Sequence, residues 1–82
     1  MIFIRWLESQ SERGDAVGAF ARAVQADRRR PSSDVYGRWT SYLRRTGLGA
    51  EVRAMFKTAW REWSRAEEEA GKAWKLEQLS FL

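Results

Sequence analysis

The 82-residue sequence contains no cysteine and no histidine. Without cysteine the chain can form no disulfide framework, no thiolate metal site and no cysteine nucleophile, and such a composition fits a reducing compartment. The absence of histidine removes the most common general base and, with the missing thiols, most transition-metal sites. We therefore expect a cytoplasmic protein that binds no metal.

Glycine-rich phosphate loops are also missing. The segment "GLGAE" at residues 47–51 is too short for a dinucleotide fingerprint and has no strand before it, so the end of one helix and the start of the next explain it better. The carboxylates of Glu67, Glu68 and Glu69 are the remaining acid–base candidates, but they stand among basic residues in a helical segment, where a solvated face is the simpler explanation. We expect no enzyme activity, no catalytic residues, no cofactor and no small-molecule substrate.

Long hydrophobic runs are absent as well. The opening stretch "MIFIRWLESQ" holds only a few apolar residues before Arg5 interrupts them, so we expect neither a signal peptide nor a membrane span. Phe3, Trp6 and Leu7 instead follow the i, i+3, i+4 spacing of one helix face, and Gly14 interrupts that pattern. The stretch predicts a short amphipathic helix and no membrane contact.

A second helix is predicted by Val17, Phe20, Ala21 and Val24, which recur at i, i+3, i+4 and i+7. Asp15 suits its N-cap, because a carboxylate can accept bonds from the free N–H groups of the first turn. Gly18 lowers helix propensity and suggests a close contact with another helix. The single proline, Pro31, restricts the residue before it, so this helix should stop near Arg28.

Two further helices follow in the pattern. The third has a broad aromatic face and ends at "RRTGLG", where Gly47 suits a left-handed cap; its apolar positions are Val35, Tyr36, Trp39, Tyr42 and Leu43. The fourth starts after Gly49 and has no proline inside it. The sequence thus predicts an all-α protein. A shared core is expected for Phe3, Trp6, Phe20, Trp39, Leu43, Phe56 and Trp60.

Several blocks in this order resemble the YozE-like family, small bacterial helical proteins with a SAM-like (sterile alpha motif-like) fold. They are "FIRWL", "DAVGAFARAVQAD", Pro31, "YGRWTSYL", and "FKTAW" followed by Trp63. The resemblance covers about residues 2–63 and implies a small bundle of four to five helices closed by a longer one. It implies no activity. The chain departs from the family in its short linker "RTGLGAEVRAM" and in continuing well past Trp63.

The C-terminal segment is the main candidate for a binding surface. We predict a SAM-like core over residues 1–65 and an extension of the last helix over residues 66–82. Apolar positions alternate spacings of four and three, the rhythm of a helix that packs against another helix: Val52, Phe56, Ala59, Trp63, Ala66, Ala70 and Ala73. Beyond them stand the proposed partner-binding residues, Trp74, Leu76, Leu79 and Phe81.

A helix over residues 50–79 would be about 45 Å long, longer than a domain of this size needs. We interpret the chain as a protein-interaction module that binds itself or another protein through this helix. A tail whose apolar residues lie loosely on the surface is the alternative for the segment itself.

The charge suggests a second interpretation, nucleic-acid binding. Residues 1–49 hold nine arginines against five acidic residues, so the net charge of +4 belongs to this half. Such an excess favours nucleic acid or an acidic protein face, although an arginine-rich genome would produce it without any binding role. The candidates lie at predicted helix ends and in a stripe along the last helix. They are Arg28, Arg29, Arg30, Arg44, Arg45, Arg53, Lys57, Arg61 and Arg65.

Overall fold

The computed structural model describes the backbone of residues 2–79 and the side chains of residues 2–71. Over this range the chain forms α1 (Phe3–Ser9), α2 (Ala16–Gln25), α3 (Tyr36–Thr46) and α4 (Gly49–Leu79), with no strand. The predicted all-α class with a long final helix is therefore confirmed. The shorter helices pack against the first half of α4.

The start of α2 is the one that the sequence predicts, but its end is not. Asp15 caps the helix, since its Oδ1 accepts a hydrogen bond from the Gly18 N–H at 3.1 Å. The helix ends at Gln25, three residues before the predicted stop near Arg28. The Asp27 carboxylate accepts the Arg29 N–H at 2.9 Å, and this local bond competes with the helical ladder.

The start of α3 corrects a second prediction. Val35 was expected on the apolar face of the helix, yet it precedes the first helical residue and is 57% exposed. Its N–H donates to the Ser33 hydroxyl at 3.0 Å and its backbone is extended. Tyr36 is also 40% exposed, although its ring lies 5.2 Å from that of Phe56. The predicted left-handed cap at Gly47 is confirmed by its φ of 65°.

The core is a cluster of aromatic and aliphatic side chains drawn from all four helices. Its fully buried aromatic members include Phe3, Phe20, Trp39 and Phe56. Of the predicted core set, Leu43 is buried too, whereas Trp6 and Trp60 are half-buried and pack against the cluster. The predicted core is thus confirmed, with two tryptophans at its edge.

The linker between α2 and α3 is fixed to both of its neighbours. Asp34 Oδ1 accepts the Phe3 N–H at 2.8 Å and so satisfies a free donor at the start of α1. The Ser33 carbonyl accepts the indole N–H of Trp39 at 2.7 Å. The linker is therefore held in place although it contains no regular secondary structure.

The close contact at Gly18 involves a loop rather than the helix that the sequence suggested. A Cβ atom at this position would lie 1.9 Å from the Arg13 carbonyl oxygen. The loop before α2 thus passes directly over the first turn of that helix. Only glycine leaves room for it.

We predict that Phe20→Ala lowers the free energy of unfolding by about 3–5 kcal/mol, because it opens a cavity in the centre of the core. This is a large part of the stability of a small domain. Val35→Ala is the matched control, since an exposed side chain should change stability by less than about 0.5 kcal/mol. Thermal denaturation followed by circular dichroism measures both. Equal melting of Phe20→Ala and the parent would contradict the core assignment.

Gly18→Ala should destabilise the protein by about 1–3 kcal/mol, because the new methyl group forces the loop at Arg13 to move. Gly37→Ala is its control: a Cβ there meets no atom within 4 Å. That control should stabilise α3 by about 0.5–1 kcal/mol, since alanine replaces glycine inside a helix. Urea denaturation would compare the two. Similar shifts in both variants would show that helix propensity alone decides the effect.

Candidate interaction surfaces

The first candidate surface is the part of α4 that continues past the core, here called the projecting segment (residues 64–79). Trp63 is the last aromatic residue that packs on the core, with its ring centroid 5.4 Å from that of Phe3. Beyond it, Ala66 and Ala70 are exposed, and Glu67 alone is half-buried among residues 64–71. The large residues of the predicted seam thus contact the core, and these two alanines do not.

The predicted partner-binding residues lie at the far end of this segment. Positions 74, 76 and 79 belong to the helical backbone of α4, but the side chains of Trp74, Leu76 and Leu79 lie outside the described ones. Phe81 lies beyond the described residues altogether. Position 74 comes eleven residues after position 63. At about 3.6 residues per turn this separation is close to three turns, so the backbone places the two positions on the same face of α4.

An ion-pair network fixes α4 at the point where it leaves the core. Arg13 Nη1 donates to Glu62 Oε2 at 3.0 Å, and its Nε donates to Asp15 Oδ2 at 3.1 Å. The pKa of Asp15 lies below its usual value, first because the Gly18 N–H donates to the carboxylate and then because of the Arg13 guanidinium. One arginine therefore ties the N-cap of α2 to the middle of α4.

The second candidate surface consists of two concave, arginine-lined areas that meet at Pro31. The first, the α3 groove, is lined by Arg29, Pro31, Val35, Gly37, Arg38, Ser41 and Arg45. The second, the α1 groove, is lined by Ile2, Ile4, Arg5, Glu8, Arg28, Arg30, Pro31 and Ser32. The structure thus brings four of the predicted arginines, Arg28, Arg29, Arg30 and Arg45, to one part of the surface.

The sequence prediction missed two members of this surface, Arg5 and Arg38. Each was an isolated arginine on a predicted helix, so no local signal marked it. Arg44 was predicted but lines neither groove; it is exposed in the last turn of α3. The grooves depend on how the linker crosses α1 and α3, and helical periodicity does not encode that crossing.

The remaining predicted cations lie on α4 and form a separate exposed stripe. It consists of Arg53, Lys57, Arg61 and Arg65. All four are exposed, as the spacing of four residues predicts for the side of the helix away from the core. They line neither arginine groove. The structure therefore separates the predicted nucleic-acid candidates into two surfaces.

The arginines of the α3 groove differ in whether their side chains already interact with other residues of the protein. In the part of the chain with described side chains, the guanidinium groups of Arg38 and Arg45 form no hydrogen bond or ion pair. Arg29 interacts electrostatically with Asp27, whose carboxylate also accepts the hydroxyl of Tyr42 at 2.5 Å. The guanidinium donors of Arg38 and Arg45 are thus available to a ligand.

The hydrogen bond between Tyr42 and Asp27 holds α3 to the end of α2 and changes the pKa of both side chains. The pKa of Asp27 is lowered, chiefly by this hydrogen bond and then by the Arg29 N–H. The pKa of the Tyr42 hydroxyl is raised, chiefly by burial and then by the same bond. Both groups therefore keep the protonation states that the bond requires at neutral pH.

Neither a metal site nor a membrane-spanning helix occurs in the part of the chain that the structure describes. Among the described side chains, no three His, Cys, Asp or Glu residues come together in a way that could hold a metal ion. None of the helices in the described part of the chain combines the length and apolar character that a bilayer crossing requires.

Comparison of the chain with protein-family models, with curated proteins and with solved structures found no match. The YozE-like family and the SAM-like arrangement therefore remain predictions from the sequence blocks.

We predict that thermal stability falls as the pH drops below about 4. The pKa values of Asp15 and Asp27 are lowered in the folded chain. Their contribution is therefore complete above the unfolded value of about 3.9 and is lost as the pH falls through the folded values. Asp27→Asn and Tyr42→Phe should each flatten this acid limb, because the titrating bond is gone. Melting temperatures between about pH 2 and pH 7 test this, and an unchanged acid limb in both variants would contradict it.

Proposed function

We propose that this chain is a non-catalytic interaction module that binds a second protein chain, in its simplest form another copy of itself, through the projecting segment. The observation that carries the proposal is that α4 continues for about 24 Å beyond Trp63, at about 1.5 Å per residue, while Ala66 and Ala70 are exposed. We also propose a SAM-like arrangement of the core, supported by the sequence blocks, and a cytoplasmic location, supported by the absence of cysteine.

A second chain would supply the packing partner that the projecting segment lacks. A helix that projects without packing is weakly stabilised, because most helical stability in proteins comes from packing one face of the helix. Packed helices lie about 8–10 Å apart, depending on the side chains between them. Alanines at 66 and 70 would permit the shorter of these distances. Their small side chains bury little area, so the backbone approach matters more than their own hydrophobic contribution.

The order of charges in the sequence supports a second copy as the partner. Arg65 and Glu77 stand six residues on either side of Gly71, and Glu67 and Lys75 stand four residues on either side. In an antiparallel pair with its two-fold axis at Gly71, each residue lies at the same level along the helices as its counterpart in the other copy. Arg65 of one copy is then level with position 77 of the other. Opposite charges of this kind set the partner and the orientation of paired helices.

We predict that Ala70→Glu weakens this self-association at least about tenfold, because a long charged side chain on the alanine face would keep the second helix from approaching closely, at a cost of at least about 1.4 kcal/mol. Ala66→Glu should weaken it as well. Ser64→Glu is the matched control, since it adds the same charge at an exposed position outside the alanine seam. Sedimentation equilibrium over a range of concentrations measures the association. Circular dichroism checks that all three variants keep the helix content of the parent.

Two outcomes would contradict the proposal. A parent that remains monomeric at every concentration would show that the segment does not pair with its copy. An equal loss of association in Ser64→Glu and Ala70→Glu would show that added charge, rather than the alanine face, is responsible.

A further inference from the structure

We propose that the α3 groove, together with the adjoining α1 groove, binds the phosphodiester backbone of a nucleic acid. This inference goes beyond the proposed function, because it concerns a different surface and a ligand of a different class. It depends on the arrangement of the arginines in the folded chain, which includes two residues that the sequence did not indicate, Arg5 and Arg38.

The arginines of the α3 groove form an extended row. Arg38 and Arg45 are seven residues apart on one helix, with Ser41 between them on the same face. Two turns of helix separate their backbones by about 10.5 Å, and Arg29 approaches the groove from the linker. A row of this length suits a ligand that carries a series of charges better than a single phosphate group.

The electrostatics of the groove favour an anion. No acidic residue lines the α3 groove. The guanidinium groups of Arg38 and Arg45 are unpaired in the part of the chain with described side chains. Arginine presents a planar fork of N–H donors that fits phosphate in a bidentate manner. The two acidic residues of the linker are already bound: the Asp27 carboxylate accepts the Tyr42 hydroxyl and the Arg29 N–H, and the Asp34 carboxylate accepts the Phe3 N–H.

The adjoining α1 groove extends the same surface. Pro31 lies in both grooves, and Glu8 is the one acidic residue among the two sets of lining residues. The six arginines in these sets are Arg5, Arg28, Arg29, Arg30, Arg38 and Arg45. A nucleic acid offers one charge for every nucleotide, and neutralising several of them releases counterions, which favours binding. The balance of six cations to one anion suits such a ligand.

The linker backbone that carries Arg28, Arg29 and Arg30 is held in place before any ligand arrives. Arg30 Nη1 donates to the Asp27 carbonyl at 3.0 Å, and Asp34 and Ser33 fix the other end of the linker to α1 and α3. A preformed site loses less conformational entropy on binding than a mobile one. The backbone that frames the grooves is therefore fixed before binding, while the guanidinium groups of Arg38 and Arg45 remain available to a ligand.

The test is fluorescence anisotropy with three labelled probes of about 20 nucleotides, single-stranded RNA, single-stranded DNA and duplex DNA, between about 50 and 200 mM salt. The triple variant Arg29→Gln, Arg38→Gln and Arg45→Gln should weaken binding at low salt at least tenfold. It should also reduce the slope of log K against log salt by about 2 for a single strand or about 2.7 for a duplex. Arg38→Gln alone should reduce it by about 0.7–0.9.

The matched control also removes three positive charges, but from a surface outside the grooves. The triple variant Arg53→Gln, Lys57→Gln and Arg61→Gln lies on the exposed stripe of α4 and should keep the slope of the parent. Thermal melts confirm that every variant is folded. The proposal is supported if the parent binds any of the three probes and only the groove variant loses affinity and salt dependence. The probe that is bound most tightly identifies the kind of strand.

Three results would overturn it. The first is that no probe changes its anisotropy at low salt, and the second is that both triple variants lose the same binding affinity. The third is that a polyglutamate peptide or phosphatidylserine vesicles bind as tightly as the nucleic-acid probes. The second result would show that net charge alone attracts the ligand. None of them bears on the self-association of the projecting segment, because that is measured without nucleic acid.

Discussion

The packing of the Phe3 ring among the aromatic side chains of α3 and α4 is the contact on which the other features depend. Its ring centroid lies 5.0 Å from that of Trp39, 4.8 Å from that of Trp60 and 5.4 Å from that of Trp63. A helix of seven residues is too short to be stable alone. It persists because its apolar face is buried and because Asp34 accepts the Phe3 N–H.

The same contact positions both candidate surfaces. On one side, the bond from Phe3 to Asp34 anchors the linker, and the linker carries Arg28, Arg29 and Arg30 to the edges of the two grooves. On the other side, the contact between Phe3 and Trp63 marks the end of the core along α4. The pair between Arg13 and Glu62 then fixes where the projecting segment begins. Core stability and surface geometry are therefore linked through one aromatic side chain.

Local signals in the sequence predicted most of the fold. The apolar periodicity located the helices, and Asp15 and Gly47 marked two of their ends. The misplaced boundaries near Arg28 and Val35 arise from hydrogen bonds of Asp27 and Ser33 to neighbouring backbone N–H groups, which compete with the helical pattern. Propensity alone does not show which of these alternatives prevails.

The candidate site was less predictable because its parts are distant in the sequence. Arg13 and Glu62 are 49 residues apart, and Arg5 joins the arginines of the linker only after α1 has packed. The run from Arg28 to Arg30 was visible as a basic cluster, whereas Arg38 was not. The place of Arg38 in the α3 groove depends on the linker lying across α3. A single sequence carries no pattern for such a crossing.

The grooves and the first part of the projecting segment carry opposite charge. Residues 64–71 contain Arg65 and three glutamates, so this part of the projecting segment is acidic, while the grooves are basic. A nucleic acid bound at the grooves would therefore be repelled by this part of the segment. An antiparallel pair centred on Gly71 would place the two Trp63 positions about 24 Å apart along the helices. Each copy would then present its grooves at one end of the pair, and a strand long enough to reach both ends would bind more tightly than a short one through the higher effective concentration at the second site.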